Sequence, residues 1–375
     1  MTPSPQRSTR LLALVRKEIR QLLRDRSNLA VGLLLPVALI LLFGYGLSFD
    51  VKDAPVAVVL EDPSPAARDV VSGLQGSPYL SPIFTPDMDE AVTLMRNGRV
   101  GAIVRVPSDF SRQLALGQAR VQLLLNGVDS STASAVEGYV AGAIGTAAQH
   151  QADRAGGPRG AGVRIEQRMW FNEANTSTWF LVPGLLALVM TLIGAFLTSL
   201  LIAREWERGT LESLFVTPVR PAEIVLAKLV PYLVVGAIDL VMCLLAARFL
   251  FEVPMRGSLS AIVVSSLLYL VVSLLLGLFI SAVTRSQFKA SQVALLTSFL
   301  PAMMLSGFVF DLRNMPAVVQ VISQVLPATH YMGLIKTLFL AGDSVRMLLR
   351  DCTILALYAV VLFAATTRKM RKTLD

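Results

Sequence analysis

Long uncharged stretches alternate with short charged ones along this chain. Residues 29–49, 178–203, 258–284 and 290–310 contain no Asp, Glu, Lys or Arg. Each is long enough to cross about 30 Å of hydrocarbon, which takes roughly 20 apolar residues. A fifth stretch, 224–250, carries Lys228, Asp239 and Arg248. The two cations lie toward its ends, where long side chains are expected to snorkel to the interface. Residues 347–367 make a sixth. A further stretch, 318–340, is apolar but broken by Pro327, His330 and Lys336.

Charge decides how these segments are threaded. The N-terminal arm holds Arg7, Arg10, Arg16, Lys17, Arg20, Arg24 and Arg26, and the tail carries Arg368, Lys369, Arg371 and Lys372. Positive-inside topology places both ends in the cytoplasm, so the number of crossings is even. Residues 318–340 are then expected to enter and leave from the outer side as a re-entrant hairpin, broken at Leu326-Pro327 and eased by Gly333 and Gly342. Irregular backbone at that depth is tolerated only when packed in protein or lining a cavity. In the arm, Leu11, Leu12, Val15, Ile19, Leu22 and Leu23 recur at helical spacing among basic residues. That pattern predicts an amphipathic helix lying in the membrane interface, retained as an anchor.

The stretch between the first two spans is soluble in character and belongs outside. Residues 56–60, 102–106 and 121–125 read as strands, and 65–74, 87–96, 107–116 and 130–151 as helices. Asp87 with Glu90 has the form of a helix N-cap, and Ser108-Asp109-Phe110 resembles a second helix start. Alternating strands and helices predict a small α/β domain, closed by the flexible AGGPRGAG segment at 155–162. The organisation is therefore 1–28 as an interfacial arm, 29–49 as the first span, and 50–177 as an extracytoplasmic α/β domain with its connection. A five-helix membrane domain follows at 178–367, with a cytoplasmic loop at 204–223 and an outer hairpin at 316–342, then a basic tail at 368–375. The fold class is an α-helical polytopic membrane protein of six transmembrane helices with an inserted extracytoplasmic α/β domain.

Composition agrees: 54% of residues are apolar and 16% charged, against about 25% charged in soluble domains. The net charge of +8 sits beside the apolar spans, where lipid headgroups account for it without nucleic acid. Cys243 and Cys352 both fall in spans, which leaves no disulfide framework. His150 and His330 have no ligand-spaced partners, so no metal site is expected. Neither a phosphate-cradling Gly-x-x-x-x-Gly-Lys-Ser/Thr loop nor a nucleophile–base set occurs. No catalytic residue and no cofactor of its own are expected in this chain. Asp239 stands out, because a mid-span carboxylate is costly unless paired or wetted. It marks either a pathway or a buried structural pair, hydrogen-bonded to a Ser, a Tyr or a backbone group.

The most informative charged segment is AREWERGTLESLFVTPVRPAEIVLAKLVP, from Ala203 to Pro231. Charges at Arg204, Glu205, Glu207, Arg208 and Glu212 surround a Gly209-Thr210 break, and Leu211, Leu214 and Phe215 follow at helical spacing. This is either a solvated connection or a short amphipathic helix built to touch a partner.

The same segment resembles the loop between the second and third membrane helices of ABC-2 type exporter permeases. NGRVGAIVRVPSDFSRQL and LLLNGVDSSTASAVEGYV resemble the extracytoplasmic domain of the multidrug-type bacterial subgroup. MWFNEANTSTWFLVPGLLA and LSGFVFDLRNMPAVVQVISQVLPATHYMGLIKTLFLAG are similar to its later segments, apart from Asp311, where relatives often carry Pro. The resemblance implies a half-transporter of the bacterial inner membrane that pairs with a second copy or a sister permease. It implies an ABC ATPase dimer as partner, which binds the ATP and Mg, and it allows a periplasmic adaptor. The implied ATPase-coupling residues are Glu205, Glu207, Arg208, Gly209, Thr210, Leu211, Glu212, Leu214, Phe215 and Pro218. Two other readings stay open: a proton-coupled secondary transporter using Asp239, and a mechanotransmitter that uses ATP to move its outer domain.

Overall fold

The computed structural model describes residues 7–46, 53–126, 130–154, 177–211, 217, 219–310, 312 and 315–370. The chain divides into two compact units, Ser48–Arg168 and the remainder, Met1–Leu47 with Met169–Asp375.

The larger unit is helical. An arm helix α1 (Arg7–Arg24) precedes α2 (Arg26–Gly46), and α7 (Ser177–Glu207), α8 (Pro221–Leu250), α9 (Leu259–Thr284), α10 (Gln287–Leu305) and α13 (Val345–Lys369) follow the insertion. Among the described residues six helices, α2, α7, α8, α9, α10 and α13, are long and apolar enough to cross a membrane. They coincide with the six stretches read from the sequence to within a few residues. α7 lies at the centre, buried along most of its length, and packs most extensively on α9.

Small residues bring α7 and α9 together. A Cβ built on Gly277 would stand 2.3 Å from the Ala195 carbonyl oxygen, and one on Gly194 would stand 2.5 Å from the Ser273 Cβ. The Thr198 hydroxyl donates across the contact to the Leu274 carbonyl at 2.8 Å, and the Ser281 hydroxyl accepts from the Ala203 N–H at 2.9 Å. Membrane helices associate in this way because lipid supplies no hydrophobic drive between them; close backbone approach and interhelical hydrogen bonds do.

The broken segment is two helices, α11 (Ala317–Gln324) and α12 (Pro327–Leu340), bent by 86°. Pro327 opens α12, and the break falls at Val325-Leu326. Gly333 lies inside α12, and Gly342 follows the helix at φ 99°. The freed carbonyls find side-chain partners: His330 Nε2 stands 2.9 Å from the Gln324 carbonyl, and Tyr358 donates to the Val325 carbonyl. Lys336 of α12 donates to the Gly307 carbonyl, beyond the end of α10, at 2.7 Å. His330 also faces Asp351 on α13 at 3.4 Å. Stacked Tyr269 and Tyr331, with centroids 4.3 Å apart, join α12 to α9.

The smaller unit is a four-stranded sheet of order β2-β1-β3-β4. β1 (Ala54–Leu60) runs parallel to β2 (Leu80–Thr85) and β3 (Ala102–Val106), and β4 (Gln122–Leu125) is antiparallel to β3. α3 (Pro65–Gln75) and α6 (Ser130–Arg154) share a core with Val56 and Val58, whereas α4 (Met88–Arg96) packs with Ala57 and Val59. β1 is thus covered on both faces, which is why it reads as an unbroken apolar run. β2 is an addition to the strands read from the sequence. It contains Pro82, which hides a strand from pattern reading and confines it to an edge, where β2 sits.

Asp87 accepts from the Glu90 N–H at 2.8 Å, as its spacing requires. Asp109 makes no such cap for α5 (Phe110–Ala115). That work is done by Asp62, at the end of β1, which accepts from the Ser111 N–H at 2.7 Å and from the Ser64 N–H at 2.9 Å. Those backbone donors stabilise the carboxylate and lower its pKa from 3.8 to about 2. A depressed carboxylate contributes stability above its unfolded pKa and loses it as pH falls through the folded one. Asp62→Asn in the full chain is expected to speed amide exchange in residues 54–126 at neutral pH, and the difference from wild type should vanish between about pH 4 and pH 2. An unchanged difference across that range would remove Asp62 from the account.

Candidate functional site

Four ionisable side chains from three helices meet at the joint of α1, α7 and α8. Lys228 of α8 stands 2.9 Å from Glu205 of α7 and 3.2 Å from Glu18 of α1. Lys17 completes the set, 2.7 Å from Glu205 and 2.8 Å from Glu18. The side chains of Lys228, Glu205 and Glu18 are only 1%, 5% and 6% exposed. Two cations balance two carboxylates, so the site is neutral as a whole and tolerable in a dry setting. Burial works against the Lys17 ammonium, but Glu205 and Glu18 outweigh it and hold its pKa above the usual lysine value.

This site corrects one expectation and refines another. Lys228 does not snorkel; it turns inward, because two carboxylates offer more there than the interface does. Arg248 is exposed, as snorkelling requires. α1 is amphipathic, with Leu12, Ile19 and Leu23 70%, 39% and 64% exposed on its outer side. Its inner side presents Glu18 and Leu22 to the bundle, and α8 is its main neighbour.

A second layer of polar contacts surrounds the first. Arg204 donates to Asp25 at 2.5 Å and to the Gln287 side chain at 3.1 Å. Burial disfavours the Asp25 carboxylate, yet the Arg204 hydrogen bond and the Asn28 N–H more than offset this, so its pKa lies below the ordinary value. Glu207 accepts from the Gln287 N–H at 2.8 Å, capping the start of α10. Arg285 lies 4.1 Å from the Trp206 ring centre, and Glu223 accepts from the Arg220 N–H at 2.9 Å at the start of α8. The start of the loop is therefore tied to α1, α8 and α10, and to Asp25 between α1 and α2, by charge-assisted bonds.

The loop residues themselves divide into two groups. Glu205 and Leu211 are buried, the first in the ionic site and the second in the main core; they face this chain's own helices, not outward. Glu207, Arg208, Gly209 and Thr210 are exposed. Gly209 turns the chain at φ 66°, and a Cβ there would meet nothing within 4 Å. Its requirement is thus conformational, without a close backbone neighbour in this chain. Thr210 donates to the Glu205 carbonyl at 3.2 Å. Glu212, Leu214, Phe215 and Pro218 lie outside the described residues, as does Asp311.

Asp239 is completely buried, and neither carboxylate oxygen has a hydrogen-bond partner among the described residues. The paired arrangement allowed by the sequence is therefore not made there. Sequence reasoning missed Glu18 and Asp25 altogether and counted Lys17 only as surface charge. The available signal was their sign, since they are acids in an arm otherwise rich in arginine.

Comparison with known proteins places this geometry in context. Residues 26–368 match the family described as ABC-2 family transporter protein. The chain is 38% identical to the probable multidrug ABC transporter permease YbhS of Escherichia coli (strain K12), over 98% of each chain. It is 29% identical to the probable multidrug ABC transporter permease YbhR of the same strain over 96% of each, and 23% identical to the linearmycin resistance permease protein LnrN of Bacillus subtilis (strain 168) over 96% of this chain and 99% of that one.

Removing one member of the buried ionic set leaves an uncompensated charge. Lys228→Met is expected to destabilise the helical unit by about 3–5 kcal/mol, read as a lowered midpoint of thermal unfolding in detergent. Adding Glu18→Gln should recover part of the loss, because it restores the balance of one cation and one carboxylate. Equal midpoints for wild type and Lys228→Met would mean that the cluster holds nothing together.

Proposed function

The chain belongs to the ABC-2 transporter family, and from that premise we propose that it is the transmembrane permease subunit of an ATP-driven exporter in the bacterial inner membrane. Two copies, or one copy and a sister permease, form the pathway, and ATP with its Mg is bound and hydrolysed by a partner ATPase dimer. Both termini face the cytoplasm and the α/β unit faces outward, where a periplasmic adaptor could engage it. The cargo is amphipathic or drug-like. The names of the relatives support that class, as does the apolar character of the spans.

The observation that carries this reading is the way the loop after α7 is mounted. Its first residues are locked to three other helices through Glu205, Arg204 and Glu207, while Arg208, Gly209 and Thr210 remain exposed. A loop on a stiff mounting can pass displacement of a partner into α7 and α8, whereas a loose one would absorb it. The coupling role accordingly falls on Glu207, Arg208, Gly209 and Thr210, with Glu212, Leu214, Phe215 and Pro218 continuing the contact. Glu205 and Leu211 serve it from inside as the mounting.

One observation favours a second reading. The carboxyl of Asp239 in the middle of α8, without a hydrogen-bond partner among the described residues, is what a proton-coupled transporter would use.

The two readings separate in inverted vesicles. Export should require the ATPase and ATP and survive a protonophore, and Asp239→Asn should still transport. Uptake without ATPase that collapses with the proton gradient and with Asp239→Asn would reverse the assignment. Movement of the outer unit without any cargo crossing would favour mechanotransmission.

Charge reversal at the exposed loop gives a second test. Arg208→Glu is expected to lower cargo-stimulated ATP turnover of the assembled complex severalfold, with the unfolding midpoint unchanged. Wild-type turnover in that variant would return the loop to a solvated connection.

A further inference from the structure

The bundle end that holds the ionic site also opens into a cleft of about 800 Å³ between α1, the start of α2 and the end of α7. Six cations line it, Lys17, Arg20, Arg24, Arg26, Arg204 and Arg208, against one carboxylate, Asp25. Lys17 is held by Glu18 and Glu205, and Asp25 is held by Arg204. Arg20, Arg24, Arg26 and Arg208 have no carboxylate within ion-pair distance among the described residues. Four guanidinium groups converging on one open space repel one another unless an anion joins them.

The position of the cleft indicates which anion. Asp25 and Arg26 immediately precede the first span, Asn28–Gly46, and Arg204 and Arg208 stand at the end of the second, Ser177–Glu207. The cleft therefore lies at the depth where a bilayer places its headgroups. On the adjoining face of α1, Leu12, Ile19 and Leu23 are exposed, and helical spacing sets them beside the row of Arg16, Arg20 and Arg24. A free inorganic anion or an acidic protein segment would satisfy the cations and leave that apolar row in water. A molecule with a phosphodiester at one end and acyl chains at the other satisfies both.

We propose that this cleft is a binding site for the headgroup of an anionic phospholipid. Arg20, Arg24 and Arg26 hold the phosphate, and the chains lie along the leucine face of α1. Guanidinium forks suit phosphate oxygens because they donate in pairs. The bound lipid clamps α1 to the end of α7 and neutralises the charge beside the ionic site, so the stability of the permease depends on anionic lipid. This inference rests on the membrane placement of the helices and is independent of what is transported or what drives it.

The test uses the full chain purified in an uncharged detergent and titrated with phosphatidylglycerol or phosphatidylcholine, with bound lipid counted by native mass spectrometry and the unfolding midpoint measured alongside. Phosphatidylglycerol should bind and raise the midpoint, phosphatidylcholine should do neither, and R20Q/R24Q should weaken the phosphatidylglycerol response by about tenfold or more. R16Q, on the same helix but outside the cleft, should keep the wild-type response. R24Q alone supplies the reading if the double variant is not recovered folded. Three results would overturn the site. R16Q losing as much as R20Q/R24Q would mean diffuse surface charge, and inorganic phosphate reproducing the shift would mean a simple anion site. An intact lipid response in R20Q/R24Q together with loss of a co-purifying ATPase would mean a protein-docking face.

Discussion

The pairing of Lys17 and Lys228 with the buried carboxylates of Glu18 and Glu205 is the interaction on which the helical unit depends. An arm helix at the start of the chain and two helices beyond the α/β insertion are fixed at one point because the charges of Lys228, Glu205 and Glu18, all nearly dry, cannot be left alone. Apolar side chains in lipid gain little by choosing one partner over another. Charges do not have that freedom. The ionic set therefore specifies where α1 docks and how the ends of α7 and α8 are held, even if its net contribution to stability is modest.

The same scarcity of water shapes the rest of that unit. At the bend between α11 and α12 the chain leaves helical geometry, and the carbonyls of Gln324 and Val325 are met by His330 and Tyr358. Between α7 and α9, Thr198 and Ser281 bond directly to the neighbouring backbone, and glycines let the helices approach closely enough for them to do so. Asp239 breaks the pattern, since its carboxyl is buried without a partner among the described residues. A buried acid with neither oxygen hydrogen-bonded among the described residues is retained at a cost in stability. That is the physical ground for weighing it as a pathway residue.

On the proposed reading, mounting and coupling are connected. Glu205 and Leu211 face inward, and Arg208 and Gly209 face outward, within one short stretch. Force applied to the outer residues passes through less than two helical turns to the ionic site and from there into α7, α8 and α1. Rigid elements with defined contacts carry such displacement. The start of the loop and the arm helix are thus held together, although 188 residues of sequence separate Lys17 from Glu205.

Much of this architecture is written locally. A span is legible because hydrocarbon thickness translates directly into a count of uncharged residues, and the doubly covered strand β1 is legible as a continuous apolar run. The break between α11 and α12 follows from Pro327 within an apolar stretch. β2 escaped notice because Pro82 contradicts strand propensity, and only its place at the sheet edge makes that tolerable. The partners of Lys228, the cap supplied to α5 by Asp62, and the inward turn of Glu205 were decided by tertiary structure alone. Each depends on residues far apart in the chain meeting in space, and a sequence gives the sign of a charge without giving its neighbour. Periodicity reports how much of a helix is apolar; the direction in which its few charges point is settled only when the helices pack.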